Sequence, residues 1–556
     1  LAHPDLDCLY VVDERAAAFL ALGWGKASGR PALLICTSGT AGANYFPALL
    51  EAEMAYAPLL VLTADRPSEL MYCHASQTLD QIKLFGDHVR GFFELGLPDS
   101  SDPSLRALRR LAAQAVHTAT WPVPGPVHLN ARARKPLEPA AASGEAEAGL
   151  ERRVSDLLSA PLVQAFPPRR EPAPEAVAAI AQAVASSERG LIVCGPLEIG
   201  RSALSAEVAR LSALSGYPVL VEAGSQLRFA KEAAGLQIGA VDALGRSATV
   251  RQHLAPDLIL QVGAPPVAAG WSRLLEETPK ARKIVIHPYG WNDPTSDAWA
   301  LVQADPVATI QALNAALPSP GRQETPWFRA WRRAEALAWQ AVEEQLAAAG
   351  DEVTEGAVAQ DLVAGLPAGA LLAVGNSLPV REVDAFAPPS PRDLTVLTQR
   401  GVAGIDGLVA GAVGAALALD RPGGLLLGDL SLLHDLDGLA CARLLPHPFA
   451  LVVVNNDGGR IFEQLPIARL PEAQRPPLEA WTTPHGLTFE GAAALYRLPY
   501  ARAQTRVGFR RVLDEALRRP GATLIEVTVP PHGALEQNQR LWAAVERRLA
   551  AEDFTL

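Results

Sequence analysis

The stretch Gly424-Leu425-Leu426-Leu427-Gly428-Asp429-Leu430-Ser431, taken with Phe449-Ala450-Leu451-Val452-Val453-Val454-Asn455-Asn456-Asp457-Gly458-Gly459, decides the fold. Each half begins as a short apolar run and ends in Gly with Asp or Asn, the pattern of a buried strand that stops at a polar loop. Between them residues 434–445 read as a helix, closed by Pro446. Strand, helix, strand is a right-handed crossover, so both strand ends lie on the same edge of a parallel sheet. That edge gathers one carboxylate, two amide oxygens and a glycine loop whose backbone can approach a phosphate. Hard oxygen ligands beside a diphosphate suit Mg²⁺, which takes few protein ligands and fills its octahedron with phosphate oxygens and water. A single Gly-Asp would read as helix capping. The two halves together point to a diphosphate and a metal.

Outward from this unit the chain keeps alternating. Residues 8–12, 31–36 and 59–63 read as strands, and residues 14–27 and 43–56 as helices, with Ser28-Gly29 ending the first helix. All three strands end in polar residues (Asp13-Glu14, Thr37-Ser38 and Asp65-Arg66), on the edge where parallel sheets bind ligands. Residues 136–174 turn to Pro, Ala, Glu and Ser and read as a linker, with a short helix around Val154. A second block has strands at residues 191–194, 219–222, 258–262 and 283–287. Residues 317–323 mark another boundary, and a long helix begins near Trp327. The expectation is an α/β protein of three doubly wound parallel-sheet domains. They span residues 1–137, 175–318 and 327–556, with residues 138–174 as linker.

Two glycine-rich stretches need separate readings. Gly23-Trp24-Gly25 lies inside a helix rather than at a strand-to-helix turn, so it is not a dinucleotide loop. The middle block has no Gly-x-Gly-x-x-Gly after a strand either, and nothing in it asks for FAD or NAD. Residues 407–419 are apolar, but too few to cross a bilayer, and rich in Gly and Ala; they read as a tightly packed helix.

Bulk properties narrow the class. At 556 residues the chain exceeds one core, and 49% apolar with 20% charged residues describes a globular protein. A net charge of −11 argues against nucleic acid as a partner. Five scattered cysteines, Cys8, Cys36, Cys73, Cys194 and Cys441, have no CxxC spacing and read as reduced thiols of a cytoplasmic protein.

Gly-Asp followed across one crossover by Asn-Asn resembles the diphosphate signature of the thiamine-diphosphate enzymes. Asp13-Glu14-Arg15, Cys36-Thr37-Ser38-Gly39-Thr40-Ala41, Leu62-Thr63-Ala64-Asp65-Arg66-Pro67, Val374-Gly375-Asn376-Ser377 and Arg400-Gly401-Val402-Ala403-Gly404-Ile405-Asp406-Gly407 stand in the order found in the menaquinone-pathway branch of that family. The resemblance covers both ends of the chain well and the middle third weakly. It implies pyrimidine-binding, central and diphosphate-binding domains, with thiamine diphosphate and Mg²⁺, or Mn²⁺, as cofactors. It also implies a homodimer or a dimer of dimers.

The resemblance assigns roles residue by residue. Glu14, which alone would read as an acid favoured by a helix dipole, is implied to hydrogen-bond the aminopyrimidine ring and help generate the nucleophilic carbon that no side chain supplies. Asp429, Asn456 and the Gly458 carbonyl are implied to hold the metal. Gly39, Gly428, Leu430, Ser431, Gly459, Ile461 and Phe462 would contact the cofactor, and Ile405 would sit beneath it and bend it. Arg66, Arg381 and Arg400 would clamp carboxylates in bidentate fashion, with Gln77, Asn376 and Ser377 completing the pocket for 2-oxoglutarate and isochorismate. The implied reaction decarboxylates the first acid and adds the remaining succinyl unit to the second. His485 reads as structural.

Two departures qualify the match. The family carries a strand and a Pro-Gly-Ser-Arg-Ser loop ahead of the position of Leu1, so the first sheet as given is expected to lack a strand. A pocket lysine of the family is replaced by Ala268-Ala269, which leaves Arg273 as a substitute. Two alternatives remain at this point: another thiamine-diphosphate carboligase such as an acetohydroxyacid synthase, or an inactive cofactor-binding scaffold.

Overall fold

Short apolar runs separated by helices build three parallel sheets in a computed structural model that describes residues 6–138, 142–160, 163–200, 202–471 and 474–554. The chain divides into two compact units, residues 1–168 with 400–418, and residues 169–399 with 419–556.

The first unit holds β1 (Ala32–Cys36), β2 (Leu59–Asp65), β3 (Gly91–Gly96) and β4 (Pro126–Arg132) in the order β1-β2-β4-β3, all parallel. Its first helix, Glu14–Ser28, starts where the Asp13 carboxylate accepts the Ala16 N–H at 2.7 Å, and ends at Gly29, whose φ of 66° is the left-handed turn glycine adopts freely. Gly23 lets this helix meet the helix Leu408–Leu419 backbone to backbone. A Cβ at Gly23 would fall 1.8 Å from the Gly411 oxygen, and one at Gly414 would fall 1.9 Å from the Leu20 oxygen. The glycines misread most easily as a nucleotide loop are therefore packing residues, and so are those of the Gly/Ala-rich segment.

Two sequence expectations for this unit fail. Residues 8–12 form no strand; they have no ladder partner among the described residues, and Tyr10 and Val12 are exposed. An apolar run is not enough without a neighbouring strand to take up the backbone groups. The expected helix over residues 43–56 is two helices, Thr40–Asn44 and Phe46–Met54. The chain re-enters helix at Phe46, with Pro47 in the first turn, and Tyr45 is buried at the break.

The second unit carries two six-stranded parallel sheets. In one, β5 (Gly190–Cys194), β6 (Val219–Val221), β7 (Gln237–Ile238), β8 (Leu258–Val262), β9 (Arg282–Ile286) and β10 (Ala298–Val302) take the order β10-β9-β8-β5-β6-β7. In the other, β11 (Leu371–Val374), β12 (Thr395–Thr398), β13 (Gly423–Gly428), β14 (Phe449–Asn455), β15 (Tyr500–Ala503) and β16 (Ala522–Thr528) take the order β12-β11-β13-β14-β16-β15. β14 is buried along its whole length, as a central parallel strand covered on both faces must be. The crossover from β13 to β14 is two short helices, Asp429–His434 and Gly438–Ala442, instead of one over residues 434–445. Asp435 and Asp437, both poor helix formers, lie in the break, and Gly438 opens the second helix.

The strand order locates the binding edge. Chain order reverses between β11 and β13, and at such a switch point the loops leave in opposite directions and open a crevice. Gly375-Asn376-Ser377 follows β11, and Asp429 follows β13. In the other sheet the switch lies between β5 and β8, where the loops touch: a Cβ at Gly195 would fall 1.9 Å from the Ala264 oxygen. Within the second unit Arg228 is fully buried and donates to the carbonyls of Val221, Gly239, Asp384 and Ala387. One side chain thus satisfies several backbone groups that have no ladder partner.

Candidate active site

At the switch point of the second unit, the loop after β13 and the loop after β14 meet. Asp429 is buried; its Oδ1 accepts the Leu430 N–H at 2.6 Å and its Oδ2 the Gly458 N–H at 2.9 Å. Asn456 is also buried. Its Nδ2 donates to Glu355 Oε1 at 2.8 Å, which fixes the amide and leaves Oδ1 buried with no hydrogen-bond partner among the described residues. Gly458, at φ 122°, has its Cβ position 2.1 Å from the Thr482 oxygen, so no side chain fits there. At Gly428, by contrast, the Cβ position faces open space.

An orphaned amide oxygen, a carboxylate and a glycine loop fit a cation shared with a diphosphate, because a buried acceptor left unmatched is costly. Among the described residues no group of three or more His, Cys, Asp or Glu side chains could hold a metal by itself. A cation here would need amide, carbonyl and phosphate oxygens besides Asp429. Ser431 is buried beside Asp429, while Leu430 and Gly459 are half-buried. Ile461 and Phe462 follow in the short helix Arg460–Gln464, and Phe462 packs edge-on against Trp481.

Two residues of this region, Glu355 and Glu463, escaped the sequence reading. Glu355 starts the helix Glu355–Gly365, and burial raises its carboxyl's pKa, with the Asp429 and Glu463 charges adding to the rise and the Asn456 bond opposing it. It orients Asn456, and only its position at a Thr354-capped helix start hinted at a special place. Glu463 is buried among Arg460 Nη1 and His532 Nδ1, each 3.0 Å from its Oε1. His485, read as structural, brings Nε2 to 3.2 Å from Asp429 Oδ2, while Asp457 Oδ1 holds the His485 and Gly486 N–H groups.

Across the same crevice, Asn376 is buried and donates from Nδ2 to the Gln399 oxygen at 2.8 Å. Ser377, at φ 72°, precedes the helix Leu378–Phe386, and Arg381 one turn on donates to the Ser377 oxygen at 2.6 Å. Arg381 and Ile461 line one cavity of about 200 Å³. Arg273 does not line it; it is exposed on the helix Ala269–Glu276. Arg246 does line it.

In the first unit the ends of β1 and β2 bring another set together. Gln77, at φ 58°, donates from Nε2 to Thr37 Oγ1 and to the Ser38 oxygen, both at 2.9 Å, and Arg66 Nη2 reaches Gln77 Oε1 at 3.5 Å. The Gly39 N–H donates to Gln81 Oε1 at 3.0 Å. Glu14 stands half-buried in the first turn of its helix. Its charge is felt by Cys36, whose thiol is pushed up to about 11 chiefly by burial, and by Tyr45, raised for the same reason. The loop that carries Arg400 and Ile405 is held by a residue the sequence did not flag. Buried Glu51 accepts the Gly401 N–H at 2.9 Å and the Val402 N–H at 2.7 Å, with Lys26 Nζ 3.4 Å away. Of the expected arginines, Arg66 and Arg400 belong to the first unit and Arg381 to the second.

Comparison with known proteins agrees with this geometry. Residues 1–84 match the family described as thiamine pyrophosphate enzyme, N-terminal TPP binding domain, and residues 385–527 match the corresponding C-terminal TPP binding domain. A 2-succinyl-5-enolpyruvyl-6-hydroxy-3-cyclohexene-1-carboxylate synthase of Sorangium cellulosum is 48% identical, over 98% of this chain and 90% of that protein. A protein of the same name from Geobacillus kaustophilus is 39% identical, over 99% and 92%. One from Haloarcula marismortui is 38% identical, over 99% and 93%. Among solved structures, benzoylformate decarboxylase from Polynucleobacter necessarius superposes with a TM-score of 0.68 over 95% of this chain and 92% of that one; at 18% identity this is a likeness of fold.

Proposed function

The chain belongs to the 2-succinyl-5-enolpyruvyl-6-hydroxy-3-cyclohexene-1-carboxylate synthases, a family of thiamine-diphosphate enzymes, and from that premise we propose how its residues carry the reaction. It decarboxylates 2-oxoglutarate and adds the remaining succinyl unit to isochorismate, giving the product named above and CO₂ in menaquinone biosynthesis. The near-full-length identity to synthases of that name carries this reading. When bound, thiamine diphosphate would supply the nucleophilic carbon and the electron sink that decarboxylation of a 2-oxo acid needs.

The chain's own residues divide the remaining work. Glu14 hydrogen-bonds the aminopyrimidine ring and holds the proton exchanged there, with Gly39 close to the same ring. Asp429 and Asn456 side-chain oxygens and the Gly458 carbonyl hold Mg²⁺, with Mn²⁺ as an alternative. What supports this is the buried Asn456 Oδ1, already oriented by Glu355 and short of a partner. Gly428, Leu430, Ser431 and Gly459 line the diphosphate, Ile405 bends the cofactor, and Ile461 and Phe462 border it. Arg66, Arg381 and Arg400 take the carboxylates of the two acids, and Gln77, Asn376 and Ser377 position them.

The protein works in the cytoplasm as a homodimer or a dimer of dimers, since in related enzymes the cofactor is shared between two chains. Among the described residues no helix is long and apolar enough to cross a membrane. Light scattering under assay conditions should give at least a dimer mass, and a fully active monomer would contradict it. The reaction itself is tested by CO₂ release from 2-oxoglutarate with and without isochorismate, thiamine diphosphate and Mg²⁺ being present. CO₂ release coupled to isochorismate loss is expected. Release without isochorismate consumption would indicate a different carboligase, and no release would indicate a scaffold.

A further inference from the structure

The cavity lined by Arg381 and Ile461 also holds a cation that no sequence motif marked. Arg246 ends the short helix Val241–Arg246 and lines the cavity together with Arg381. Three contacts define its position. Its Nε donates to Asp242 Oδ2 at 2.7 Å, and its guanidinium lies over the Trp542 ring, 4.0 Å from the ring centroid. Asp242 is itself pinned, accepting the Gly270 N–H at 2.8 Å and the Trp542 Nε1–H at 3.1 Å. The two terminal nitrogens of Arg246 have no hydrogen-bond partner among the described residues.

This is the arrangement of a receptor cation more than of a structural ion pair. One edge of the guanidinium is held by Asp242 and one face by an indole, so the planar fork is fixed before any ligand arrives. The free edge can present two parallel N–H donors, which match a carboxylate. Val267, Ala268, Ala269, Val380 and Leu465 give the cavity apolar walls suited to a short carbon chain. Gln464 and Asn538 add polar groups. Asp384 and Glu222 are also in the lining; Asp384 is paired with Arg228, whose Nη1 lies 3.4 Å from its Oδ1, and Glu222 accepts the Val267 N–H at 3.0 Å.

We propose that Arg246, anchored by Asp242 and stacked on Trp542, binds a carboxylate of a substrate acid in this cavity, beside Arg381. The proposal rests on the reading of the chain as an enzyme of two dicarboxylic acids, and deepens it by naming a binding residue outside the expected motifs. It also explains how the small Ala268-Ala269 wall is compatible with an acidic ligand: the charge comes from the neighbouring helix.

The test uses the full protein with thiamine diphosphate and Mg²⁺ bound. Succinate and 2-oxoglutarate are titrated calorimetrically into wild type, Arg246→Gln, Arg246→Lys and Arg273→Gln, and KM for 2-oxoglutarate and isochorismate is measured in parallel. Arg246→Gln should weaken at least one acid by about tenfold or more, the size expected for a lost charge-assisted pair. Arg246→Lys keeps the ion pair to Asp242 but loses the fork, and should fall between Arg246→Gln and wild type. Arg273→Gln should match wild type. Melting curves guard against misfolding, and Arg246→Lys keeps the test open if Arg246→Gln does not fold. Unchanged binding and KM in both Arg246 variants, or an equal loss in Arg273→Gln, would overturn the proposal. If wild type binds these acids and Arg246→Gln does not, yet wild type turns over no isochorismate, the site stands and the assigned reaction falls.

Discussion

Removing Glu51 should loosen the loop that carries Arg400 and Ile405 without touching either residue. The Glu51 carboxylate accepts two backbone N–H groups of that loop, from Gly401 at 2.9 Å and Val402 at 2.7 Å. Hydrogen bonds to a charged group contribute about 1.5–3 kcal/mol each, so two set a ceiling of about 3–6 kcal/mol. Val402 is exposed and its N–H can recover water, which lowers the expectation for Glu51→Ala to about 2–4 kcal/mol. For a unit of this size that is a fall in Tm of about 4–16 °C. Glu51→Gln can accept one of the two N–H groups but turns its own NH₂ toward the other, and should lie in between. Lys26→Ala is the comparison: its Nζ lies 3.4 Å from Glu51 in a largely buried pair, so it can cost stability too, but it keeps both N–H bonds to the loop and should leave KM nearer wild type than Glu51→Ala does. The assay is a thermal melt together with steady-state kinetics, in which a displaced Arg400 raises KM for an acid substrate. A Glu51→Ala protein with wild-type Tm and wild-type KM would refute the claim that this carboxylate holds the loop.

Three further outcomes follow from other parts of the molecule. Glu14→Gln should fold normally and lose about 10²–10⁴-fold in kcat, the usual share of a positioned acid–base group; unchanged turnover would remove Glu14 from that role. Asp429→Ala should bind thiamine diphosphate far more weakly than wild type in a calorimetric titration with Mg²⁺, and wild type should lose affinity when Mg²⁺ is chelated. Equal affinity with and without the metal would contradict the site. His128 is fully buried, bonded through Nε2 to Thr63 Oγ1, and burial pushes its pKa from 6.5 down to about 4. The unfolded chain therefore takes up a proton that the folded one refuses, and stability should fall by about 3 kcal/mol as pH drops from 6.5 to 4. Urea titrations across that window should show the slope in wild type and a flatter one in His128→Asn; identical slopes would rule the histidine out.

What the sequence made legible was local and repetitive. The strands β13 and β14 are continuous apolar runs closed by Gly-Asp and Asn-Asn, so both their burial and the position of their polar ends could be read directly. The Gly/Ala-rich residues 407–419 likewise announced close packing, though not that Gly411 would face Gly23. What escaped depended on partners distant in sequence. Residues 8–12 are a short apolar run like a strand, but the pattern cannot say whether a neighbour will pair with them. Glu51 looks like any helical glutamate until the fold brings residues 401 and 402 to it. Glu355 and His485 become parts of the Asp429 site only through crossovers that no spacing encodes. The arginines show the same limit, since nothing in the sequence spacing brings Arg246 and Arg381 to one cavity.

The central claim is that this chain joins a decarboxylated 2-oxoglutarate to isochorismate. It is tested most directly by supplying carbon-labelled 2-oxoglutarate with unlabelled isochorismate to the protein loaded with thiamine diphosphate and Mg²⁺, and following the label by mass spectrometry. The account predicts that the carboxyl carbon next to the keto group leaves as CO₂, and that every other labelled carbon appears in a single product built on the isochorismate ring. Label that leaves as CO₂ while the ring product stays unlabelled, or that remains wholly in 2-oxoglutarate, would contradict it.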